Sequence, residues 1–206
     1  MNALSLKKAI GHISDVMTEN RDYLVELDSR NGDGDLGISM SGGYRAVKEY
    51  LDTAEENDLG KLLMKCSSVF NEAAPSSLGT ITSFGMMGMA KALKKKEECT
   101  LAELADAMDA GLKMIMDKAN SKPGEKTILD ALHPAIEALK AHANEDAKTA
   151  FAAAAAAAAE GSESTKQMRS VHGRAAYYGD KSIGMLDGGS VVGKLIFVGI
   201  SAACQE

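Results

Sequence analysis

Apolar residues recur along most of the chain at intervals of three and four, the spacing of one face of an amphipathic α-helix. The first such face consists of Leu6, Ile10, Ile13 and Met17. Further faces are Met40, Tyr44, Val47 and Leu51; Leu59, Leu62, Leu63, Cys66, Val69 and Phe70; Phe84, Met87, Ala90 and Leu93; Leu104, Met108, Leu112 and Ile115; Ile128, Leu129, Leu132, Ile136 and Leu139; and Val191, Val192, Leu195, Ile196 and Val198. No run of useful length alternates as a half-buried strand does. The pattern predicts an all-α fold, a single domain over residues 1–206 with about eight helices.

Local signals place several helix ends. The second helix is expected to begin near Ser39, and Asp58 is predicted to cap the third. Thr100 and Glu103 have the spacing of a capping box. Asn144 is predicted to cap a helix that contains the alanine-rich run.

Four stretches are expected to interrupt the helical pattern. Residues 73–83 (AAPSSLGTITS) and 122–127 (KPGEKT) contain Pro and Gly, and residues 161–164 break the alanine-rich helix. A short helical segment through Met168 and Val171 is expected next. The irregular stretch 173–190 then follows, and an irregular stretch this long in a compact domain is more often functional than accidental.

The stretch Leu27–Gly43, LDSRNGDGDLGISMSGG, places Asp28, Asp33 and Asp35 within eight residues, with glycines between them. Carboxylates this close repel one another unless a cation holds them together. Mg²⁺ prefers such oxygen ligands and completes its shell with water and phosphate oxygens. A helix start directly after the loop offers free amide hydrogens to an anion. The stretch therefore predicts a metal–phosphate loop.

Two other interpretations of this stretch compete with that prediction. Asn-Gly and Asp-Gly pairs are ordinary turn signals, so a solvated acidic turn remains open. A calcium loop of EF-hand type fits poorly. Started at Asn31, it would put Leu36 at the position of the sharp-turn glycine and Gly42 at that of the bidentate Glu.

Composition narrows the function classes. The net charge is −6 with no clustered basic stripe, which argues against a nucleic-acid-binding surface. Aromatic residues are only 4%, with 12 Met and no Trp, which favours helices. The three cysteines are far apart and indicate reduced thiols. No secretion signal is expected at the N-terminus, and the longest apolar run, Ala150–Ala159, is about half the ~20 residues that a membrane span needs. We therefore expect a cytoplasmic protein without membrane association.

Taken in order, four loops resemble one family. They are LDSRNGDGDLG (27–37), PSSLGT (75–80), KPGEKT (122–127) and GRAAYYGDKSIGMLDGGS (173–190). Their order and distances resemble the nucleotide-binding L subunit of dihydroxyacetone kinase, the DhaL-type domain. The first and last motifs, D-x-x-x-G-D-x-D-x-G and G-R-A-x-Y-x-G-x-x-S-I-G-x-x-D-x-G, are the specific ones, and the resemblance covers nearly the whole chain.

The resemblance implies a barrel of eight antiparallel amphipathic helices with the nucleotide held by loops at one end. By the same resemblance, Asp28, Asp33 and Asp35 would bind Mg²⁺, two ions in the family, bridging the phosphates of ATP or ADP. Arg174 would act with them. The other nucleotide-contacting positions implied are Leu36, Gly37, Ile38, Ser39, Pro75, Ser76, Ser77, Ala119, Ile128, Asp187, Gly188 and Gly189.

The resemblance further implies a kinase subunit that needs a partner. In the family, a K subunit (DhaK-like) holds the short-chain ketone covalently through a histidine. Phosphate comes either from ATP or from bound ADP that a phosphotransferase-system protein (DhaM-like) recharges. Phosphoryl transfer suits the predicted loop because its catalysis is mostly positioning and charge neutralisation. The chain lacks the G-x-x-x-x-G-K-[ST] loop of other nucleotide-binding enzymes.

Several positions depart from the family pattern. Leu36 stands where His is usual, Ala73 and Ala74 replace a Gly pair, Ser77 replaces a Gly, and Gly188 replaces a Pro. An alanine in place of glycine adds a Cβ near any phosphate. A different acceptor, or a nucleotide-binding regulator without turnover, therefore remains an alternative.

Two basic residues leave alternatives open. Lys126, with Thr127, is a candidate for phosphate contact, although a lysine in a helix-start loop is common. Arg174 could pair with Asp180 or Glu160 instead of a nucleotide.

Overall fold

The structure, a computed structural model, describes residues 1–205, and within them it contains nine α-helices and no β-strand. The helices are α1 (Ala3–Glu19), α2 (Arg21–Ser29), α3 (Leu36–Thr53), α4 (Leu59–Ala73), α5 (Ser77–Ala92), α6 (Leu101–Ala119), α7 (Leu129–Ala141), α8 (Ala147–Ser164) and α9 (Gly188–Ala203). Two 3₁₀ segments, Thr165–Gln167 and Arg174–Ser182, lie between α8 and α9. The all-α prediction is confirmed.

Eight of these helices form a closed ring. Each of α1, α3, α4, α5, α6, α7, α8 and α9 packs on the next, and α9 packs back on α1. The short α2 packs mainly on α3. Most residues of the predicted apolar faces are buried or half-buried, and Leu6, Ile10, Ile13 and Met17 of α1 are all buried. Val198, predicted to belong to the last face, is instead 38% exposed. The ring is the helical barrel that the resemblance implied.

Consecutive helices of an even-numbered ring run in opposite directions, so their connections fall alternately at the two ends. Lys7 Nζ donates to the carbonyl of Ala54 at one end, 2.7 Å away, which joins the start of α1 to the end of α3. At the other end lie the α2 region and residues 74–76, 120–128 and 165–187. All four motif-bearing loops therefore share one end of the barrel.

Two helices begin earlier than the sequence predicts. The helix expected near Ser39 begins at Leu36, and the interruption expected over residues 73–83 shortens to 74–76 because α5 begins at Ser77. Ser76 Oγ accepts the Gly79 N–H at 3.0 Å and caps α5. A Cβ at Gly79 would lie 1.9 Å from the Ala74 carbonyl oxygen. Ser76 and Gly79 therefore belong to a tightly packed helix start, although their residue types suggest an interruption of the helix.

The predicted bounds of α8 are wrong at both ends. Asp146, not Asn144, caps the helix, with its Oδ1 accepting the Thr149 N–H at 2.9 Å. The helix also continues through the expected break at residues 161–164. A Cβ at Gly161 would lie 2.1 Å from the Asp130 carbonyl oxygen, so this glycine permits close packing of α8 on α7.

The short helix expected through Met168 and Val171 is absent from the described chain. A single 3₁₀ turn ends at Gln167, and Val171 is 53% exposed. Conversely, α2 is a separate helix that the apolar pattern does not predict. Its Leu24 and Leu27 are buried. No helix within residues 1–205 is both long and apolar enough to cross a membrane.

Candidate functional site

Three carboxylates meet at the motif-bearing end of the barrel. Asp28 lies in the last turn of α2, and Asp33 and Asp35 follow in the loop before α3. One oxygen from each lies within 4.8 Å of the others. The Gly34 N–H donates to Asp28 Oδ2 at 2.8 Å, and Gly34 has a φ of +76°, which glycine adopts readily. The glycines fold the loop back so that the carboxylates converge, and we refer to the three as the carboxylate triad.

The electrostatics of the triad favour a cation. Burial raises the pKa of Asp35, and the neighbouring charges of Asp33 and Asp28 raise it further. Arg174 opposes that shift. Arg174 Nη2 lies 2.9 Å from Asp33 Oδ2, while Asp180, one of the alternatives expected for Arg174, pairs with Arg169 at 3.4 Å. The geometry thus sets a guanidinium beside three acidic groups.

Three helix N-termini adjoin this region, those of α3, α5 and α9. Ser76 Oγ donates to Ser39 Oγ at 3.3 Å, which joins the starts of α5 and α3. A Cβ at Gly188 would lie 2.6 Å from Leu36 Cδ2, so the starts of α9 and α3 also touch. Asp35 makes no side-chain capping bond to α3. The first-turn amides of α3 can therefore serve an anion.

The segment Leu36–Ser39 includes one exposed side chain. Leu36, Gly37 and Ser39 are buried, whereas Ile38 is 54% exposed. A Cβ at Gly37 would lie 2.0 Å from the Arg21 carbonyl oxygen, so this glycine permits α3 to start against α2. Pro75, Ser76 and Ser77 form the turn into α5.

Asp187 connects the triad to the interior. Its Oδ2 accepts the Ser190 N–H at 2.6 Å and so caps α9. Burial raises the pKa of Asp187 to about 7, and nearby Asp130 and Asp28 raise it too, while the Ser190 bond and Lys126 lower it. Asp187 therefore lies in the field of the triad on one side and of the 122–127 loop on the other. Gly188 and Gly189, also predicted, open α9.

Ala119 and Ile128 border the 120–128 connection. Ala119 is the last residue of α6. Ile128 is buried, and its backbone N lies 3.3 Å from the position that a Cβ would take at Gly189, at the start of α9. Their place beside the adenine stays a prediction.

Lys126 does not lie where a phosphate could reach it. The residue is 3% exposed, and its ammonium donates to four backbone carbonyls of the segment that follows α8. Burial lowers the pKa of Lys126, and Asp187 opposes this. Thr127 Oγ1 accepts the Leu129 N–H at 3.2 Å, a bond within its own loop. Sequence reasoning missed this role because a buried lysine has no local sequence signal.

Comparisons with known proteins show the family to which the chain belongs. A family model described as the DAK2 domain matches residues 31–202. The chain is 32% identical over 178 residues to the ADP-binding subunit DhaL of PEP-dependent dihydroxyacetone kinase 2 from Listeria innocua, covering 85% of this chain and 82% of the relative. It is 27% identical over 194 residues to the corresponding DhaL subunit from Escherichia coli K12, covering 93% and 92%.

The fold is also similar to a solved structure, the dihydroxyacetone kinase from C. freundii in complex with AMP-PNP and Mg²⁺. The TM-score is 0.76 at 21% identity, over 98% of this chain and 34% of that one. The chain thus spans about a third of the length of that kinase. At this identity the likeness concerns the fold.

Proposed function

Because the chain belongs to the DAK2-domain family, we propose that it is the magnesium- and nucleotide-binding subunit of a dihydroxyacetone-kinase-like phosphotransferase. One observation carries the proposal. The carboxylate triad lies within 4.8 Å, and Arg174 is 2.9 Å from Asp33. Carboxylates attract hard divalent cations, whereas a guanidinium matches phosphate oxygens. A site that has both suits a metal-bound polyphosphate.

The donor set fits magnesium. All three side chains offer oxygen, and two of them, Asp33 and Asp35, are exposed enough to leave positions for water and phosphate oxygens. Burial is the main cause of the raised pKa of Asp35, and repulsion from Asp33 and Asp28, which a bound cation would relieve, adds to it. We propose that Asp28, Asp33 and Asp35 hold two Mg²⁺ ions, the number that the family resemblance implies.

The nucleotide would lie across the three helix starts. The phosphates would meet the triad beside the amides of Leu36, Gly37 and Ile38, with the Pro75–Ser77 turn and residues 187–189 adjoining, because the three helix starts touch one another. Arg174 would cover the charge that the metal leaves unneutralised. Bound Mg²⁺ would withdraw charge from the transferred phosphoryl group. No side chain of this subunit needs to attack phosphorus, because its residues position the groups and neutralise charge.

The acceptor and the donor complete the proposal. We propose that a K subunit (DhaK-like) presents a small hydroxy-ketone, as the family resemblance of the four loops implies. The E. coli and L. innocua relatives are named ADP-binding subunits of PEP-dependent kinases. Their names favour bound ADP recharged by a phosphotransferase-system protein (DhaM-like), with direct use of ATP as the other route.

Calorimetric titration tests the proposal. The protein is titrated with ADP and with ATP in the presence of Mg²⁺ and again with EDTA. We expect binding that depends on Mg²⁺ and that Asp33→Asn weakens by about tenfold or more, since the substitution removes one charged ligand.

Asp22→Asn is the matched control. It makes the same charge change on α2, at a side chain that is 94% exposed, and is expected to bind as the unsubstituted protein does. Binding that ignores Mg²⁺, or no nucleotide binding at all, would reject the proposed function.

A second candidate function keeps the nucleotide site and changes what it serves. Ala73, Ala74 and Ser77 stand where glycines are expected in the phosphate turn. This difference favours either another short sugar or acyl acceptor or a nucleotide-binding regulator. Phosphorus NMR with several acceptors and a K subunit separates these outcomes. A phosphorylated product that Asp33→Ala abolishes would exclude the regulator.

A further inference from the structure

The segment that carries Arg174 buries very few of its own side chains. We call residues 168–185 the Arg174 loop, and none of residues 171–181 is buried. Tyr177, near its tip, is 91% exposed. Arg174 and Asp33 are 66% and 44% exposed, so their ion pair is too weak to fix a loop of this length. His172 Nε2 also lies 2.6 Å from Glu125 Oε2 of the α6–α7 connection, and the remaining bonds that hold the loop lie at its base.

The two arms of the loop meet at a narrow neck. The Gly184 N–H donates to the Lys166 carbonyl at 2.7 Å. Ser182, fully buried, accepts the Ser170 N–H at 2.9 Å through its Oγ and donates to the Gly179 carbonyl. These bonds tie the outgoing arm to the returning arm.

Lys126 lies inside that neck, although it belongs to the α6–α7 connection. Its Nζ donates to Thr165 and Met168 on the outgoing arm, at 2.9 and 3.2 Å. It also donates to Ser182 and Met185 on the returning arm, both at 2.6 Å. An ammonium has three hydrogens, so the four carbonyls share them. Bonds to a charged donor are about twice as strong as neutral ones, and this one group bridges both arms.

The loop that supplies Lys126 is itself held rigidly. Lys126 has a φ of +62°, a left-handed conformation that lysine adopts rarely. Buried Asp130 accepts the N–H groups of Gly124 and Thr127, at 2.5 and 2.7 Å, on either side of it. A strained residue persists where its surroundings over-determine it. The lysine is thus directed into the neck by its own loop.

We propose that Lys126 is a positioning residue, whose ammonium closes the neck of the Arg174 loop and thereby holds Arg174 at the nucleotide site. The proposal rests on the proposed function, because its effect is on nucleotide binding. Lys126 acts through Arg174 and does not contact the nucleotide.

A double-mutant cycle tests this with Mg²⁺–ADP titrations of unsubstituted protein, Lys126→Met, Arg174→Met and the double variant. Lys126→Met keeps the chain length and removes the charge. We expect each single substitution to weaken binding by about tenfold or more. In the Arg174→Met background, Lys126→Met is expected to cost less than about twofold further, because coupled residues are not additive. Losses that multiply in full would overturn the proposal.

Lys122→Met is the matched control, since Lys122 lies in the same connection and is exposed. It is expected to bind as the unsubstituted protein does. Hydrogen exchange provides a readout without nucleotide: Lys126→Met is expected to speed exchange over residues 171–181 and to leave α1 and α6 unchanged. A folded Lys126→Met protein with unchanged exchange and affinity would overturn the proposal.

If Lys126→Met does not fold, Ser182→Ala provides the test. It removes the Ser170–Ser182 hydrogen bond of the same neck but keeps the buried ammonium of Lys126 in place. Weaker binding that disappears in the Arg174→Met background supports the proposal, and unchanged binding overturns it. Failure of the unsubstituted protein to bind Mg²⁺–nucleotide would reject the proposed function instead. Independently of nucleotide, hydrogen exchange over residues 171–181 that is no faster in Lys126→Met would reject the role of Lys126 in the neck.

Discussion

At the scale of single residues, the geometry of the carboxylate triad depends on the glycines that lie between its members. The loop folds back onto Asp28, because the Gly32 N–H donates to the Asp28 carbonyl at 2.6 Å and the Gly34 N–H donates to the Asp28 carboxylate. A Cβ at Gly32 would lie 2.1 Å from Asp28 Oδ1 and 2.9 Å from the Asp28 carbonyl oxygen. The second of these is backbone and cannot rotate away. Gly32 therefore controls where the Asp28 carboxylate points.

Gly32→Ala should consequently weaken Mg²⁺-dependent nucleotide binding while leaving the fold nearly intact. We expect a loss of about tenfold or more, because Asp28 is pushed out of the triad. The change in the free energy of unfolding should stay within about 1 kcal/mol, as is usual for a surface loop. Calorimetry and urea unfolding measure the two effects separately.

Gly42→Ala is the control for that substitution, because Gly42 lies in α3 with only the Ala73 carbonyl oxygen near its Cβ position, 3.8 Å away. It should retain binding and gain about 0.5–1 kcal/mol in stability, the usual gain of alanine over glycine in a helix. Equal affinities for both alanine variants would show that Asp28 does not depend on Gly32.

At the scale of the elements, α6 begins with the capping box that the sequence predicts. Thr100 Oγ1 accepts the Glu103 N–H, and Glu103 accepts the Thr100 N–H at 2.8 Å. Lys96 adds an ion pair to the same carboxylate. The hydrogen bond from Lys96, followed by those from Thr100, lowers the pKa of Glu103 from 4.5 to about 2.

This shift predicts a pH dependence for Glu103→Gln. Because the folded pKa lies below the unfolded value, the stabilisation is complete above pH 4.5 and is lost as the pH falls toward 2. The variant should therefore be less stable than the unsubstituted protein at pH 7, and the difference should shrink below pH 4.5. Urea unfolding at several pH values measures it, with exposed Glu97→Gln as the control for charge. A difference that does not change with pH would contradict the assignment.

The elements that the sequence predicts correctly are those whose signals are local. The face Leu6–Met17 and the capping box depend only on spacing within one helix, and both are present. Some of the errors involve contacts between distant segments, although the wrong cap of α8 is a local one. Gly161 is expected from the sequence to break the helix, yet it lies within α8, where the lack of a side chain lets Asp130 of α7 come close. For Lys126 the sequence leaves a phosphate contact open, and the four carbonyls that it actually binds lie about 40 to 60 residues further along.

The candidate site divides in the same way. The convergence of Asp28, Asp33 and Asp35 follows from eight residues of sequence, and the structure brings them together. The partner of Arg174 could not be chosen from the sequence, because Asp33 lies some 140 residues before it. The metal and nucleotide roles of these residues stay predictions for the titrations to test.

At the scale of the whole molecule, the barrel closes where the last helix meets the first. A Cβ at Gly199 of α9 would lie 2.7 Å from Ile13 Cα and 2.9 Å from Ile13 N of α1. These are backbone atoms, so only a shift of one helix could make room. Gly199 is eleven residues beyond the start of α9, about 16 Å along the helix from the end of the barrel that carries the carboxylate triad. The closure of the barrel and the proposed nucleotide site are therefore separated along one helix.

Gly199→Ala should lower stability and leave nucleotide affinity nearly unchanged at temperatures where the variant stays folded. Overpacking of this kind costs about 1–3 kcal/mol, so the urea midpoint should fall. Gly11→Ala in α1 is the matched control, because its Cβ position has no neighbour within 4 Å. It should gain about 0.5–1 kcal/mol. A Gly199→Ala protein that keeps its stability would show that α1 and α9 can move apart enough to accommodate the added methyl group. One that keeps its stability and loses affinity would show that the closure, and not the loops alone, sets the geometry of the carboxylate end.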